Sequence, residues 1–142
     1  MKHYILTLLL AFITFTSFSC NNKNVEAIEL GKDQCSHCKM TIQDSRYATE
    51  LITEKGRIYK FDDLVCMEAY TRENSQKIGN AKLFVSDFLT SELFPLEKAF
   101  KITGGQVKSP MNGNVATFKN KNEAIKEAHR LQASKNIFQK KP

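Results

Sequence analysis

The segment Asp33-Gln34-Cys35-Ser36-His37-Cys38-Lys39-Met40 places two thiols, an imidazole and a thioether at positions 35 to 40. Soft sulfur donors gathered this way suit Cu(I). In an extended segment, residues two apart point to the same side, so Cys38 and Met40 are expected to clamp one ion. Methionine is ordinarily core filler, but Met40 lies in a polar stretch beside Cys38, which favours a ligand. Met111, in the loop Ser109-Pro110-Met111-Asn112-Gly113, is flanked by proline and glycine rather than apolar neighbours and is expected as a third ligand.

Other chemistries share this spacing. Cys35-x-x-Cys38 also serves thiol–disulfide oxidoreductases and zinc sites. A thioredoxin-type motif joins a buried strand to a helix start, yet Ile28-Glu29-Leu30-Gly31-Lys32 is a poor core strand and Met40-Thr41-Ile42-Gln43 a poor helix start. Haem attachment is excluded because Lys39, not histidine, follows Cys38. A structural zinc would draw on Cys35, Cys38, Cys66 and a histidine, either His37 between the thiols or His129 on a predicted surface helix, and would leave Met40 without a role. Cys66 falls in the first turn of a predicted helix, where the macrodipole favours thiolate. It approaches the metal, pairs with Cys35 or Cys38, or is buried as a small apolar residue, and burial is preferred.

The elements that must position these residues follow from periodicity. Tyr47 to Thr53 and Arg57 to Phe61 read as a hairpin turning at Glu54-Lys55-Gly56. Asp62-Asp63 then caps a helix whose apolar face is Leu64, Val65, Ala69 and Met67, fading at Asn74-Ser75. Strands are predicted over 81–89, 99–103 and 114–118, and an amphipathic helix over 122–131 with Ala124, Ile125, Ala128 and Leu131 on one side. Gly56 to Phe61 overlays Gly113 to Phe118, each a glycine followed by phenylalanine five residues on with a helix after it, which suggests a duplicated unit. The expected class is α+β.

The chain begins with Lys2 and His3, an apolar run from Tyr4 to Phe15, and Thr16-Ser17-Phe18-Ser19-Cys20. That is a secretory signal, shorter than the ~20 apolar residues of a membrane span. Cysteine directly after the apolar region resembles a bacterial lipoprotein cleavage site, with Cys20 the acylated first residue and Ser17 where leucine is usual. Ordinary cleavage, leaving Cys20 an incidental thiol, is the alternative. The expected organisation is a signal peptide over 1–19, a flexible tether over 20–33, one metal-binding domain over 34–131 and a basic tail over 132–142.

Beyond Cys20 the chain has three cysteines, Cys35, Cys38 and Cys66, an odd number for a compartment where thiols pair. A ligand set has no parity rule, so the count leans toward metal. The formal charge of +6 becomes +5 once Lys2 leaves with the signal. The lysines are scattered rather than striped with aromatics, which gives nucleic-acid binding no support. The three lysines from 135 to 142 read as a solvated terminus, with contact to an anionic membrane or partner as the alternative.

Taken in order, the lipoprotein cysteine, Cys38-Lys39-Met40, Phe61-Asp62-Asp63-Leu64-Val65-Cys66-Met67 and Ser109-Pro110-Met111 resemble the NosL family, lipoprotein accessory proteins of nitrous oxide reductase. The resemblance runs from about Cys35 to Ala128. It implies a periplasmic, lipid-anchored Cu(I) chaperone rather than an enzyme, delivering copper to an apo-cuproenzyme such as nitrous oxide reductase. It also implies an α+β fold of two strand-strand-helix-strand repeats in one small domain. By position, Cys38 and Met40 match the family's Cys-x-Met ligands and Met111 matches the methionine before the second repeat's strand. The family commonly has Cys-Gly-Met; here Lys39 replaces the glycine, and Cys35 and His37 are extra donors. A thiol–disulfide oxidoreductase and a lipoprotein with structural zinc remain the other two classes.

Overall fold

The computed structural model describes residues 25–134. Strands β1 (Thr49–Ile52) and β2 (Ile58–Phe61) form an antiparallel hairpin with Leu51 opposite Tyr59. Gly56 turns the chain with φ +80°, a left-handed conformation that favours glycine. Asp63, in extended conformation, caps helix α1 (Leu64–Glu73) by accepting the amide of Cys66. The chain runs through Asn74 into the short helix α2 (Ser75–Ile78) and returns as β3 (Lys82–Ser86) along the free side of β1.

Strand β4 (Leu93–Pro95) completes a sheet of order β2-β1-β3-β4. After a 3₁₀ turn (Leu96–Lys98), β5 (Phe100–Thr103) and β6 (Val115–Phe118) form a second, two-stranded sheet, and Asn120 caps helix α3 (Lys121–Arg130).

Each sheet buries one face against a helix. In the first core Leu51, Phe61, Val85 and Phe94 of the larger sheet pack with Leu64, Cys66 and Met67 of α1, and Cys35 joins them. The second core gathers Ile102, Ala116 and Phe118 with Ala124, Ala128 and Leu131 of α3, closed by Tyr47 and Phe88. Buried polar groups join the halves: the Thr117 hydroxyl donates to the Ser86 carbonyl at 2.5 Å, and Asp87 accepts the amides of Leu89, Thr90 and Lys119. The domain is mixed α+β.

The sequence and the structure differ in four places. Val65 is exposed on α1 and Cys66 takes the inward position, because the turn anchored by Asp63 directs Leu64, Cys66 and Met67 at the sheet. The strand expected over 81–89 stops at Ser86, where the Asp87 side chain binds the next amides and makes a turn. Strand β4 escapes periodicity because it has three residues and ends in proline, which an edge strand tolerates. The first half runs strand, strand, helix, strand, but after α3 the described residues hold a single bridge, Ser134 to Thr103, and no full strand.

Of the stretch 20–33 read as a tether, the part from Val25 onward is bound to the domain. The Glu26 amide donates to both oxygens of the buried Glu50, and Lys60 donates to the Ala27 carbonyl and to Asp33. The signal segment, Cys20 and residues 135–142 lie outside the described residues. Among the described residues, no helix is long and apolar enough to cross a membrane.

Candidate metal centre

Polar residues from Gly31 to Ile42 leave the chain no apolar pattern from which to build a helix or long strand, and backbone hydrogen bonds close it into a knuckle. Gly31 donates to Ile42, Ile42 to Asp33 and Cys35 to Met40, while Gln34 bridges Thr41. Lys39 sits at the tip with φ +67°, its amide on the Cys35 carbonyl at 3.0 Å and its ammonium on the Ser36 carbonyl at 2.7 Å. A left-handed conformation is one that glycine adopts readily and lysine does not, so Lys39 holds its turn at some backbone cost. Ser36 donates to the Lys60 carbonyl at 2.8 Å, stitching the knuckle to β2.

The turn corrects the extended geometry expected from spacing. Cys35 points into the first core, Cys38 is half-buried at its edge, and Met40 is turned outward at 55% exposure. Helix α1 supplies Cys66 from the opposite side. The sulfurs of Cys35, Cys38 and Cys66 lie within 4.8 Å of one another, and all three residues are free thiols. Sequence reasoning preferred a plain burial role for Cys66; the signal for more was its place three residues after the cap Asp63, which fixes the inward turn of the helix.

The thiols do not share one acidity. Burial pushes Cys35 up, but the amides of Asp62, Cys38 and His37 and the Cys38 side chain outweigh it and hold this thiol below its ordinary value. Burial raises Cys38, and the neighbouring Cys35 adds to the rise despite the Met40 amide aimed at its sulfur. Burial and then Cys35 and Cys38 push Cys66 far above the ordinary thiol range. Negative charge therefore gathers first on Cys35, and a bound cation would have to displace the protons that remain on its neighbours.

Met111 packs against the first core, to which Cys35, Cys38 and Cys66 also belong. Its amide donates to Asp63 Oδ2 at 3.2 Å, and the Ser109 hydroxyl donates to the same oxygen at 2.8 Å. His37 is not brought to the cysteines as a third kind of donor: its Nδ1 faces Glu73 at 3.5 Å. The Asp62 carboxylate is buried, and its Oδ1 is without a hydrogen-bond partner among the described residues. Burial, with Asp63 next to it, pushes that carboxyl above its ordinary range, while its backbone amide serves Cys35. No helix begins after Cys38, so the Cys-x-x-Cys pair lacks the setting of a thioredoxin motif.

Three clustered thiols with thioethers nearby in the chain form a soft donor set that fits a thiophilic ion. The NosL family model matches residues 27–132. The crystal structure of the copper chaperone NosL from Shewanella denitrificans superposes with a TM-score of 0.68 at 16% identity, covering 84% of this chain and 96% of that one. No curated protein matches in sequence. Because the family match takes in the knuckle, α1 and the Met111 loop as one continuous stretch, this chain belongs to the NosL family.

Proposed function

We propose that the protein is a Cu(I) metallochaperone that holds the ion on sulfur and passes it to an apo-cuproenzyme, nitrous oxide reductase being the acceptor that the family suggests. The observation that carries this reading is the convergence of three sulfurs within 4.8 Å at the edge of a core. Cu(I) accepts low coordination by thiolate and thioether. Cys38, Cys35 and Cys66 bind the ion, and Met40 and Met111 supply thioethers at the rim. Transfer is ligand exchange through an intermediate in which donor and acceptor sulfurs share the ion; thiol protons leave to solvent on loading and return as the ion departs, and no carbon–sulfur or backbone bond of the protein is broken. The solved copper chaperone with the same fold supports this reading.

In this reading Cys20 carries the lipid that holds the protein to a bacterial membrane in the periplasm. The second half is a shortened copy of the first. Phe61 and Phe118 are both fully buried at the end of a hairpin, each is followed two residues later by a helix cap, and Ser134 meets β5 as β3 meets β1.

The test is an anaerobic titration of the mature chain, with Cys20→Ser to prevent acylation, using Cu(I) against a chromogenic chelator and Zn(II) in parallel. Tight one-to-one Cu(I) binding is expected. Failure to compete for Cu(I) with stoichiometric zinc retained would replace the reading with a structural zinc site.

A further inference from the structure

Asp63 has two jobs of which only one belongs to its helix. Its Oδ1 accepts the Cys66 amide at 3.1 Å, which is the ordinary work of a cap. Its Oδ2 faces a remote part of the chain and accepts the Ser109 hydroxyl and the Met111 amide. The residue is 1% exposed, so little water competes with these donors.

The loop it holds is braced internally and attached narrowly. Ser109 accepts the Asn114 amide on its hydroxyl at 2.9 Å, and its amide donates to the Asn114 side chain. Against α1 the loop presents Gly113, where an added Cβ would collide with the Val65 side chain. Glycine thus permits the close approach and Asp63 fixes its register, so that one carboxylate sets the backbone of Cys66 and of Met111 together.

We propose that Asp63 is a positioning residue that makes the Met111 thioether a ligand of the same ion as the cysteines, an inference that rests on the copper reading above. An outer-sphere residue that orients ligands typically changes metal affinity 10–100-fold when altered. Asp63→Asn separates this role from capping. Asparagine is as good a cap, and the Ser109 hydroxyl can rotate to accept from its amide, but the Met111 N–H then faces a second donor.

The experiment is Cu(I) competition on the mature chain combined with NMR of ¹³C-methyl methionine. Beyond the initiator the chain has Met40, Met67 and Met111, and the fully buried Met67 serves as the reporter of folding. In the wild type, Cu(I) is expected to shift the Met111 methyl. In Asp63→Asn that shift disappears, affinity falls about tenfold, and adding Met111→Leu causes no further loss, while Met67 is unmoved.

Wild-type affinity and an intact Met111 shift in Asp63→Asn overturn the proposal. So does a wild-type Met111 methyl that ignores bound Cu(I), although the copper reading then stands. A wild type that retains no Cu(I) overturns the copper reading and this inference together. Should Asp63→Asn move Met67 and so fail as a folded protein, Ser109→Ala decides. A weakened Met111 response supports the positioning role, and an unchanged one overturns it.

Discussion

Cys35 and Cys66 meet inside the first core, one from a loop knuckle and the other from the first turn of α1, with their sulfurs within 4.8 Å and both side chains almost sealed from solvent. Neither location suits two negative charges. The amides around Cys35 let that sulfur hold a charge, and its presence makes the second ionisation at Cys66 unfavourable. A cation shared by the sulfurs resolves the conflict, and removing any one sulfur takes away part of the charge that would hold it.

Cys38→Ser is therefore expected to weaken Cu(I) binding about a hundredfold, roughly 2.7 kcal/mol, and Met40→Leu less, since the thioether carries no charge. Cys38 is half-buried, so melting of the apo protein should change little. Chelator competition beside thermal unfolding checks both statements. Equal affinity in the wild type and both variants would remove these residues from the site.

Copper affinity should climb with pH. Cys38 and Cys66 are held protonated above the usual thiol range, and the ion must displace those protons. Between about pH 6 and 8 the apparent log affinity is expected to rise by more than one unit per pH unit, because at least the Cys38 and Cys66 protons leave on binding. Competition titrations across that range, or proton release measured in weak buffer, read the slope. A pH-independent affinity would mean that the thiols are not the donors.

Glu50 gives a separate pH signature in the apo protein. Burial, only partly offset by the Glu26 amide and Lys60, raises its carboxyl from 4.5 to about 7. The folded state thus binds this proton more tightly than the unfolded one. Its contribution is complete below pH 4.5 and is lost as pH rises through about 7. The loss amounts to at most about 3 kcal/mol. Glu50→Gln should flatten that part of the stability curve, visible as the difference between wild-type and variant urea denaturation from pH 4.5 to 8. Parallel curves would place the wild-type slope elsewhere.

Asp87 should behave as the clasp between the two cores. It is 2% exposed and serves Leu89, Thr90 and Lys119. Asp87→Ala strands those donors at a cost of about 3 kcal/mol in total, a fall in Tm of about 15 °C for a domain of this size. Differential scanning calorimetry would show it. A change of a degree or two would mean that water replaces the side chain.

Much of this was legible before the structure. The hairpin before α1, the Asp63 cap and helix α3 follow from local rules, because Asp63 Oδ1 acts within its own turn and Phe61 and Phe118 end alternating strands; the Asn120 cap, which starts α3 one residue earlier than expected, went unread. The sulfur cluster was only half legible. Cys35 and Cys38 announce themselves by spacing; the cap Asp63 marks Cys66 as facing inward, but its meeting with the other two depends on how α1 packs on β2, a tertiary fact. For Cys38 and Met40, period-two reasoning assumes extended backbone, whereas Lys39 between them is left-handed and Met40 stands exposed. Nor does any residue type signal that the Asp62 backbone would serve Cys35.

The unequal exposure of the three thiols would also set the direction from which an ion held among them could leave. Cys35 and Cys66 form the closed end of the cluster and Cys38 the open one, so an incoming sulfur meets the ion beside Cys38 and has no path behind it. With the ion held as proposed, the Cys38 bond would be the first to be surrendered, while the inner pair would keep hold until the acceptor has a second ligand in place. Release would then be stepwise and one-sided: a small diffusing chelator that offers a single donor would stall halfway, and a partner presenting two sulfurs in succession would carry the ion off.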